Sequence, residues 1–118
     1  MSQRSPEEVV RQFYRFWETK DRAAVDAAVT DSFRFSSPRD DRIDKATYLT
    51  RCWPNADVIA SFDLEHVAAD GDCVFVQYVA TRRADGTRFR NTEVFRVAGE
   101  RIDEVNVFFG RDLDERKG

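Results

Sequence analysis

The sequence predicts an α+β domain in which a curved, mostly antiparallel sheet wraps around N-terminal helices and encloses a small cavity. Helical signals occupy the first half of the chain, where capping residues precede apolar residues spaced three and four positions apart. The second half alternates apolar with polar residues between turn signals at Asp70-Gly71, Asp85-Gly86 and Ala98-Gly99. Helices followed by a run of strands are typical of an α+β fold. A chain of 118 residues suits a single domain, which we assign to residues 1–118.

The first predicted helix has the clearest start signal in the chain. Ser5, Pro6 and Glu8 form a capping-box sequence, and the helix that follows continues to about Lys20. Its apolar residues form one broad buried stripe: Val9, Val10, Phe13, Tyr14, Phe16 and Trp17. The remaining predicted elements of this half are a helix from Asp21 to about Val29, a short strand over residues 33–37, a solvated loop over residues 39–42, and a short helix from Asp44 to Pro54.

The second half, from Asp57, is predicted to be four strands joined by short turns. Short connections make consecutive strands pair antiparallel, so the four form a meander. The charged segment 111–118 is expected to be a frayed tail.

Composition excludes several classes of partner and site. The net charge of −3 argues against nucleic acid, because its binding domains usually carry a basic excess. Cys52 and Cys73 form no CxxC motif and the chain has one histidine, so we expect two buried thiols, no metal site and no cofactor. No apolar run is long enough to cross a bilayer and no leader precedes the domain, so we expect no membrane partner and a cytoplasmic protein.

Alternation along the strands sorts residues onto two faces of the sheet. In three of the four long strands, one face is predicted to point inward. These inward sets are Val58, Ala60, Phe62, Leu64 and His66; Phe89, Asn91, Glu93, Phe95 and Val97; and Val105, Val107 and Phe109. Arg88 and Arg90 fall on the outward face of the third strand.

The strand that begins at Cys73 is apolar on both faces. Cys73, Phe75, Gln77 and Val79 are assigned to the inward face, and Val74, Val76 and Tyr78 to the outward one. Because the helices cover only one face of the sheet, the second cover is expected to be another copy of the chain. The sequence therefore predicts a homodimer through Val74, Val76 and Tyr78.

Glu93 is the polar residue on which the predicted site depends. An ionised carboxylate among phenylalanines costs several kcal/mol without partners, and a hydrated cavity would relieve that cost. Glu93 and His66 are thus candidate acid–base groups. The candidate ligand-binding residues around them are Phe13, Trp17, Phe35, Ser37, Trp53, Phe62, Phe75, Gln77, Phe89, Asn91, Val105 and Phe109.

Each of these assignments has a structural alternative. Glu93 could be a structural carboxyl bonded to a neighbouring amide or helix end, and His66 a strand-end histidine in contact with solvent. The aromatic residues could simply form the core.

The order of elements resembles the NTF2-like superfamily, and in particular its SnoaL-like and ketosteroid-isomerase-like members. Residues 9–13 through Asp21, together with Asp31 and Ser36-Ser37-Pro38, look like the first half of a ketosteroid isomerase. The segment EVFRV at 93–97, followed by VFFG at 107–110, looks like its last hairpin. The resemblance implies a cone-shaped α+β barrel around a small-molecule pocket.

The resemblance also implies where catalytic groups would fall. Ketosteroid isomerases use an aspartate base, a tyrosine and a protonated carboxylic acid. Carried over by position, the base falls on Ser37 and the tyrosine on Phe13, with Tyr14 turned about 100° away, so that only the acid position is retained, as Glu93.

Steroid isomerisation is therefore not expected of this chain. Other members close polyketide rings, dehydrate or hydrolyse epoxides, although the epoxide-hydrolase arrangement of an arginine between two aspartates is not matched. The resulting hypothesis is a cofactor-independent isomerase, cyclase, dehydratase or hydrolase acting on a small apolar or weakly polar molecule. The alternative is a non-catalytic module that binds a ligand or a protein.

Overall fold

The computed structural model describes residues 3–113 of the protein, which contain four helices and six strands. None of these helices is long and apolar enough to span a membrane. In chain order the elements are α1 (Pro6–Glu18), α2 (Arg22–Ala28), β1 (Val29–Ser37), β2 (Asp40–Asp44), α3 (Lys45–Arg51), α4 (Asn55–Val58), β3 (Ile59–Asp70), β4 (Cys73–Arg82), β5 (Arg88–Ala98) and β6 (Arg101–Asp112).

Side-chain caps start the three longer helices where the sequence predicts. The Ser5 hydroxyl accepts a hydrogen bond from the Glu8 amide at 3.2 Å, and the Glu8 carboxylate accepts one from the Ser5 amide at 2.9 Å. At α2 and α3 the carboxylates of Asp21 and Asp44 each accept one hydrogen bond, from the amides of Ala24 and Thr47. These bonds satisfy amides that have no partner within the helix.

The six strands form one sheet in the order β2-β1-β6-β5-β4-β3. Strands β3 to β6 pair antiparallel in succession, which confirms the predicted meander, and β1 joins its edge parallel to β6. The helices cover one face of this sheet, and the core lies between them, with Val10, Phe33 and Phe95 fully buried.

The predictions for segments 39–42 and 111–118 need correction. Residues 40–44 are not a solvated loop but strand β2, where the Asp40 carboxylate lies 2.9 Å from an Arg51 guanidinium nitrogen. Arg111 and Asp112 are not frayed but complete β6, and Arg82 holds Asp112 through an ion pair of 2.8 Å. The rest of the predicted tail, residues 114–118, lies outside the described part of the chain.

The inward faces of β5 and β6 are as predicted, apart from the end of β6. Asn91, Phe95 and Val97 are buried on β5, as are Val105 and Val107 on β6. Phe109 is 49% exposed, because β6 there has reached the open rim of the sheet.

His66 does not face the interior. The pairing of β3 with β4 shifts between Leu64 and His66, so an extra residue, Glu65, enters β3. Such a bulge reverses the alternation of faces beyond it. Phe62 and Leu64 therefore face the core as predicted, whereas Val67 replaces His66 on that face and His66 is exposed.

The two faces of β4 are the reverse of those predicted. Val74 and Val76 are fully buried and Tyr78 is 4% exposed, so the three residues assigned to a dimer surface belong to the core. Phe75, assigned inward, is 44% exposed on the outer face, where Gln77 donates a hydrogen bond to Glu65. Apolar residues on both sides of β4 left its alternation without a directional signal.

Gly110 is a position where the sheet tolerates no side chain. A Cβ atom at this position would lie 1.9 Å from the Arg90 carbonyl oxygen on β5.

We predict that Gly110→Ala lowers the free energy of unfolding by about 1–3 kcal/mol, because the backbone of β5 or β6 must shift. Chemical denaturation measures this. The control is Gly86→Asn, where a Cβ meets nothing within 4 Å and asparagine accepts the left-handed backbone, so a loss of about 1 kcal/mol or less is expected. Equal losses in the two variants would contradict the close approach.

Candidate functional site

A cavity of about 100 Å³ lies between α1, α3 and the inner face of the sheet. We call it the inner cavity. Its apolar wall consists of Phe13, Trp17, Phe35, Ile59, Phe62 and Val105. Its polar groups come from Tyr14, Tyr48, Cys52, Asn55, Tyr78 and Glu93. A space of this size can hold a few water molecules or a small guest.

Glu93 is held at this cavity by two tyrosines. The Tyr14 hydroxyl, from α1, donates a short hydrogen bond to Oε1 of Glu93. The Tyr78 hydroxyl, from β4, donates a longer one of 3.5 Å to Oε2. Both rings are themselves fixed, because Tyr14 and Tyr78 pack edge to face with each other and with Phe62 at centroid distances of 5.1–5.5 Å.

A chain of hydrogen bonds supports Tyr78 from behind. The Gly110 amide donates to the Asn91 side-chain oxygen at 3.0 Å, which fixes the orientation of that amide group. The Asn91 nitrogen then donates to the Tyr78 hydroxyl at 3.2 Å. Asn91 lies directly opposite Tyr78 and Gly110 follows its other neighbour, Phe109, so the register of three strands aligns these groups. Asn91 is therefore a positioning residue.

Burial raises the pKa of Glu93 from 4.5 to about 7, although the hydrogen bonds from Tyr14 and then Tyr78 lower it. The pKa values of both tyrosines lie well above the ordinary value of 10, first because of burial and then because of the Glu93 charge. Near neutral pH the tyrosines thus remain hydrogen-bond donors, while Glu93 is close to half ionised. A group in that state can accept a proton or donate one.

Cys52 also faces the inner cavity but is poorly suited to nucleophilic chemistry. Burial, with a smaller contribution from Asp40, raises the pKa of its thiol to about 11. The reactive form of cysteine is the thiolate, which is scarce at neutral pH for such a group. Within residues 3–113, no three histidine, cysteine or acidic side chains lie close enough together to hold a metal ion.

A second, wider hollow adjoins the inner cavity at the rim of the sheet. We call it the outer basin; it has a volume of about 490 Å³ and shares Asn55 and Ile59 with the inner cavity. Its other lining residues include Arg39, Val58, Arg82, Phe89, Phe109 and Arg111. The two hollows therefore lie side by side.

The structure divides the residues predicted for the site into three groups. Phe13, Trp17, Phe35, Phe62, Glu93 and Val105 face the inner cavity. Phe89, Asn91 and Phe109 line the outer basin. Ser37, Trp53, His66, Phe75 and Gln77 line neither.

Each residue of the third group has a specific reason for its position. Ser37 donates a hydrogen bond to Asp40 at 2.9 Å and shapes the turn between β1 and β2. Trp53 packs behind Trp17 at a centroid distance of 4.9 Å. His66, Phe75 and Gln77 lie on the outer face of the sheet for the reasons of bulge and register given above. His66 is therefore not placed to exchange a proton with Glu93.

All three tyrosines of the chain face the inner cavity, and the sequence prediction missed each of them. Tyr14 belongs to the buried stripe of α1, so the expectation that it turns away from the site is wrong. The cavity does contain a tyrosine beside its acid, adjacent to the position of Phe13. The signal for Tyr78 was a hydroxyl among the valines of β4, since a buried tyrosine usually finds a hydrogen-bond partner.

A curved, mostly antiparallel sheet wrapped around N-terminal helices is the fold of the NTF2-like class of α+β proteins. The SnoaL-like domain model matches residues 10–105, which is most of the chain, and the protein belongs to this family. The resemblance stated from the sequence is thereby confirmed. None of the curated proteins compared with the sequence matches it.

Solved structures with the same fold include proteins of different activities. An NTF2-like protein of unknown function from Cytophaga hutchinsonii is 16% identical, with a TM-score of 0.74 over 92% of each chain. An LEH-like epoxide hydrolase from M. tuberculosis is 22% identical, with a TM-score of 0.72 over 88% of this chain and 81% of the other. A candidate polyketide cyclase from Sinorhizobium meliloti is 17% identical, with a TM-score of 0.70 over 84% and 92%. At these identities the likeness shows the fold.

The raised pKa of Glu93 predicts that the free energy of unfolding depends on pH. The folded-state pKa of Glu93, about 7, exceeds the ordinary 4.5. Its protonation therefore contributes to the free energy of unfolding, and this contribution is fully present below pH 4.5 and is lost as pH rises through 7. We predict that the wild type loses roughly 3 kcal/mol of unfolding free energy across this window relative to Glu93→Gln. Denaturation at several pH values measures the difference, and carbon NMR of the carboxyl group measures the pKa directly. A difference that does not vary with pH would contradict the raised pKa.

Proposed function

We propose that the protein is a cofactor-independent enzyme in which Glu93 exchanges a proton with a small, mostly apolar molecule bound in the inner cavity. One observation carries this proposal: both oxygens of a buried carboxyl group are held by tyrosine hydroxyls at the wall of a cavity. A carboxyl group with a pKa near 7 can serve as acid or base at neutral pH. Isomerisation, ring closure, dehydration and hydrolysis all need such a proton transfer.

The hydroxyls of Tyr14 and Tyr78 would support Glu93 in each of its states. They stabilise the carboxylate before it accepts a proton, and they keep its oxygens fixed relative to the cavity. The apolar residues around the carboxyl group lower the local polarity, which strengthens these interactions. No cofactor is needed for this chemistry.

The inner cavity limits the substrate to a small reacting part. An engineered protein cavity of about 150 Å³ accepts benzene, and the inner cavity is smaller, at about 100 Å³. A fused steroid ring system exceeds this space. The outer basin has room for the rest of a larger molecule.

Among the activities named for structural neighbours, ring closure fits the side chains better than epoxide hydrolysis by an arginine and two aspartates. Arg90 lies on the outer face of the sheet, where it binds Glu65 at 2.7 Å and 3.0 Å. Within residues 3–113, the inner cavity has no arginine among its lining residues. The inner cavity instead offers one acid–base group, Glu93, with the hydroxyl donors of Tyr14 and Tyr78.

The catalytic assignment is tested on a substrate found by screening small metabolites for conversion. We predict that Glu93→Gln lowers kcat by a factor of about 100 or more, because glutamine cannot exchange the proton. Glu65→Gln is the matched control: it makes the same chemical change on the outer face and should leave kcat unchanged. Full turnover by Glu93→Gln would overturn the assignment.

We also expect Tyr14→Phe to move the pKa in the pH–rate profile upward, because it removes a hydrogen bond that favours the carboxylate.

The binding module without turnover is the other outcome of the same screen. It would be supported by a compound that binds the inner cavity tightly while no compound class is converted. Nuclear magnetic resonance titration detects such binding through the amide signals of Tyr14, Tyr78 and Glu93.

We further propose that two copies of the chain associate through the outer face of the sheet, at Phe75 and Phe108. These side chains are 44% and 57% exposed, and Val94 lies between them on that face. Burying exposed apolar area of this kind commonly drives association. Val74, Val76 and Tyr78 would not contact the second copy, because their side chains are buried in the core on the other face of the sheet.

The dimer is tested by light scattering at micromolar concentration. We predict a mass of about twice 13.7 kDa for the wild type and a shift toward 13.7 kDa for the double variant Phe75→Ser, Phe108→Ser. Val58→Ser is the control, because Val58 is 49% exposed but lies at the rim, away from this face. A wild-type mass of 13.7 kDa would remove the dimer.

A further inference from the structure

The outer basin carries the opposite charge to the protein as a whole. Three of its lining residues are arginines, Arg39, Arg82 and Arg111, and one is an aspartate, Asp112. The chain has a net charge of −3. Positive charge is thus concentrated at a hollow that shares Asn55 and Ile59 with the inner cavity.

The three arginines differ in how far they are already engaged. Arg82 forms an ion pair with Asp112 at 2.8 Å, donates to Thr87 at 3.0 Å and stacks over Phe89 at 4.7 Å. It is a structural residue that closes the rim. In the described range 3–113, by contrast, Arg39 and Arg111 form no ion pair, so their charges are available to a ligand.

Arg39 is also directed into the basin by local structure. It occupies the turn between β1 and β2, where its amide donates to the Ser37 hydroxyl at 3.1 Å. Its guanidinium lies 5.8 Å from the centre of the Phe109 ring. An arginine stacked on a ring keeps its forked donors free for an anion.

We propose that the outer basin selects substrates bearing a carboxylate, which binds Arg39 and Arg111 while an apolar part of the same molecule extends past Asn55 and Ile59 toward Glu93. This inference rests on the proposed function, since it names the substrate class of the same site. Phe89, Phe109 and Val58 provide an apolar wall beside the charges, as an organic acid requires. A planar carboxylate matches the arginine fork in two hydrogen bonds.

The arginines of the outer basin and the apolar wall of the inner cavity suit opposite ends of one such substrate. The carboxylate head would remain at the half-open rim, where the arginines compensate it. The apolar part alone would enter the cavity that holds Glu93, so a second charge is not brought into the apolar interior. Such a substrate would be oriented head outward.

The test uses a matched pair of probes, hexanoate and hexanamide, with binding followed by amide chemical shifts at about pH 6. At this pH hexanoate is ionised and Glu93 is mostly protonated. We expect hexanoate to bind more tightly than hexanamide by about fivefold or more. Raising the ionic strength should weaken the binding of hexanoate and leave hexanamide unchanged.

Arginine variants locate the effect. Arg39→Gln and Arg111→Gln should each reduce the preference for hexanoate, and the double variant should abolish it. Arg101→Gln is the matched control: it removes the same charge at the opposite end of β6, roughly 30 Å away at about 3.3 Å per residue. Glu93→Gln should retain the preference.

The outcomes separate this inference from the proposed function. If both probes shift the signals of Tyr14 and Glu93 equally, the carboxylate preference is wrong and the inner cavity stands as a binding site. If hexanoate shifts only signals around Arg39 and Arg111, the outer basin binds anions and the function proposed for Glu93 is wrong. A preference retained in the double arginine variant would overturn the assignment of Arg39 and Arg111.

Discussion

The buried carboxyl group of Glu93 is the feature on which the rest of the site depends. In an apolar wall an ionised carboxylate is unfavourable by several kcal/mol unless it is hydrogen-bonded, and an unpaired one would be selected against on stability alone. Here α1 supplies the hydroxyl of Tyr14 and β4 that of Tyr78. The helix and the sheet are therefore joined by a polar contact as well as by the core, and neither can shift without exposing or orphaning that group.

The strand pairing is irregular at two places in the sheet. The bulge at Leu64 to His66 bends β3 and increases its local twist, and a second shift between Phe89 and Asn91 does the same near the rim. Gly110 lies at the second shift, where the close approach of β6 to the Arg90 carbonyl also aligns Asn91 with Tyr78. The same shift thus places Gly110 where its amide can bind Asn91.

How far the sequence could predict this arrangement differed from strand to strand, for physical reasons. On β5, arginines alternate with apolar residues, so the direction of Glu93 followed from the pattern, as confirmed. On β4 both faces are apolar, and the decisive information lay in its register with β5, which places Tyr78 opposite Asn91. Turn residues alone did not fix that register, because the connection spans residues 83–87. The bulge that moved His66 outward has no reliable sequence signal, since any residue can occupy it.

The small size of the inner cavity follows from the same aromatic residues that suggested a pocket in the sequence. Trp17 is held by Trp53 and Tyr48, and Tyr48 in turn packs on Phe33 and Phe35 at centroid distances of 4.8–4.9 Å. These rings fill most of the cone that the curved sheet would otherwise leave open. An aromatic-rich interior and a ligand cavity are therefore not competing interpretations of this chain. The rings form the core, and the space they leave beside Glu93 sets the size of the group that the carboxyl can reach.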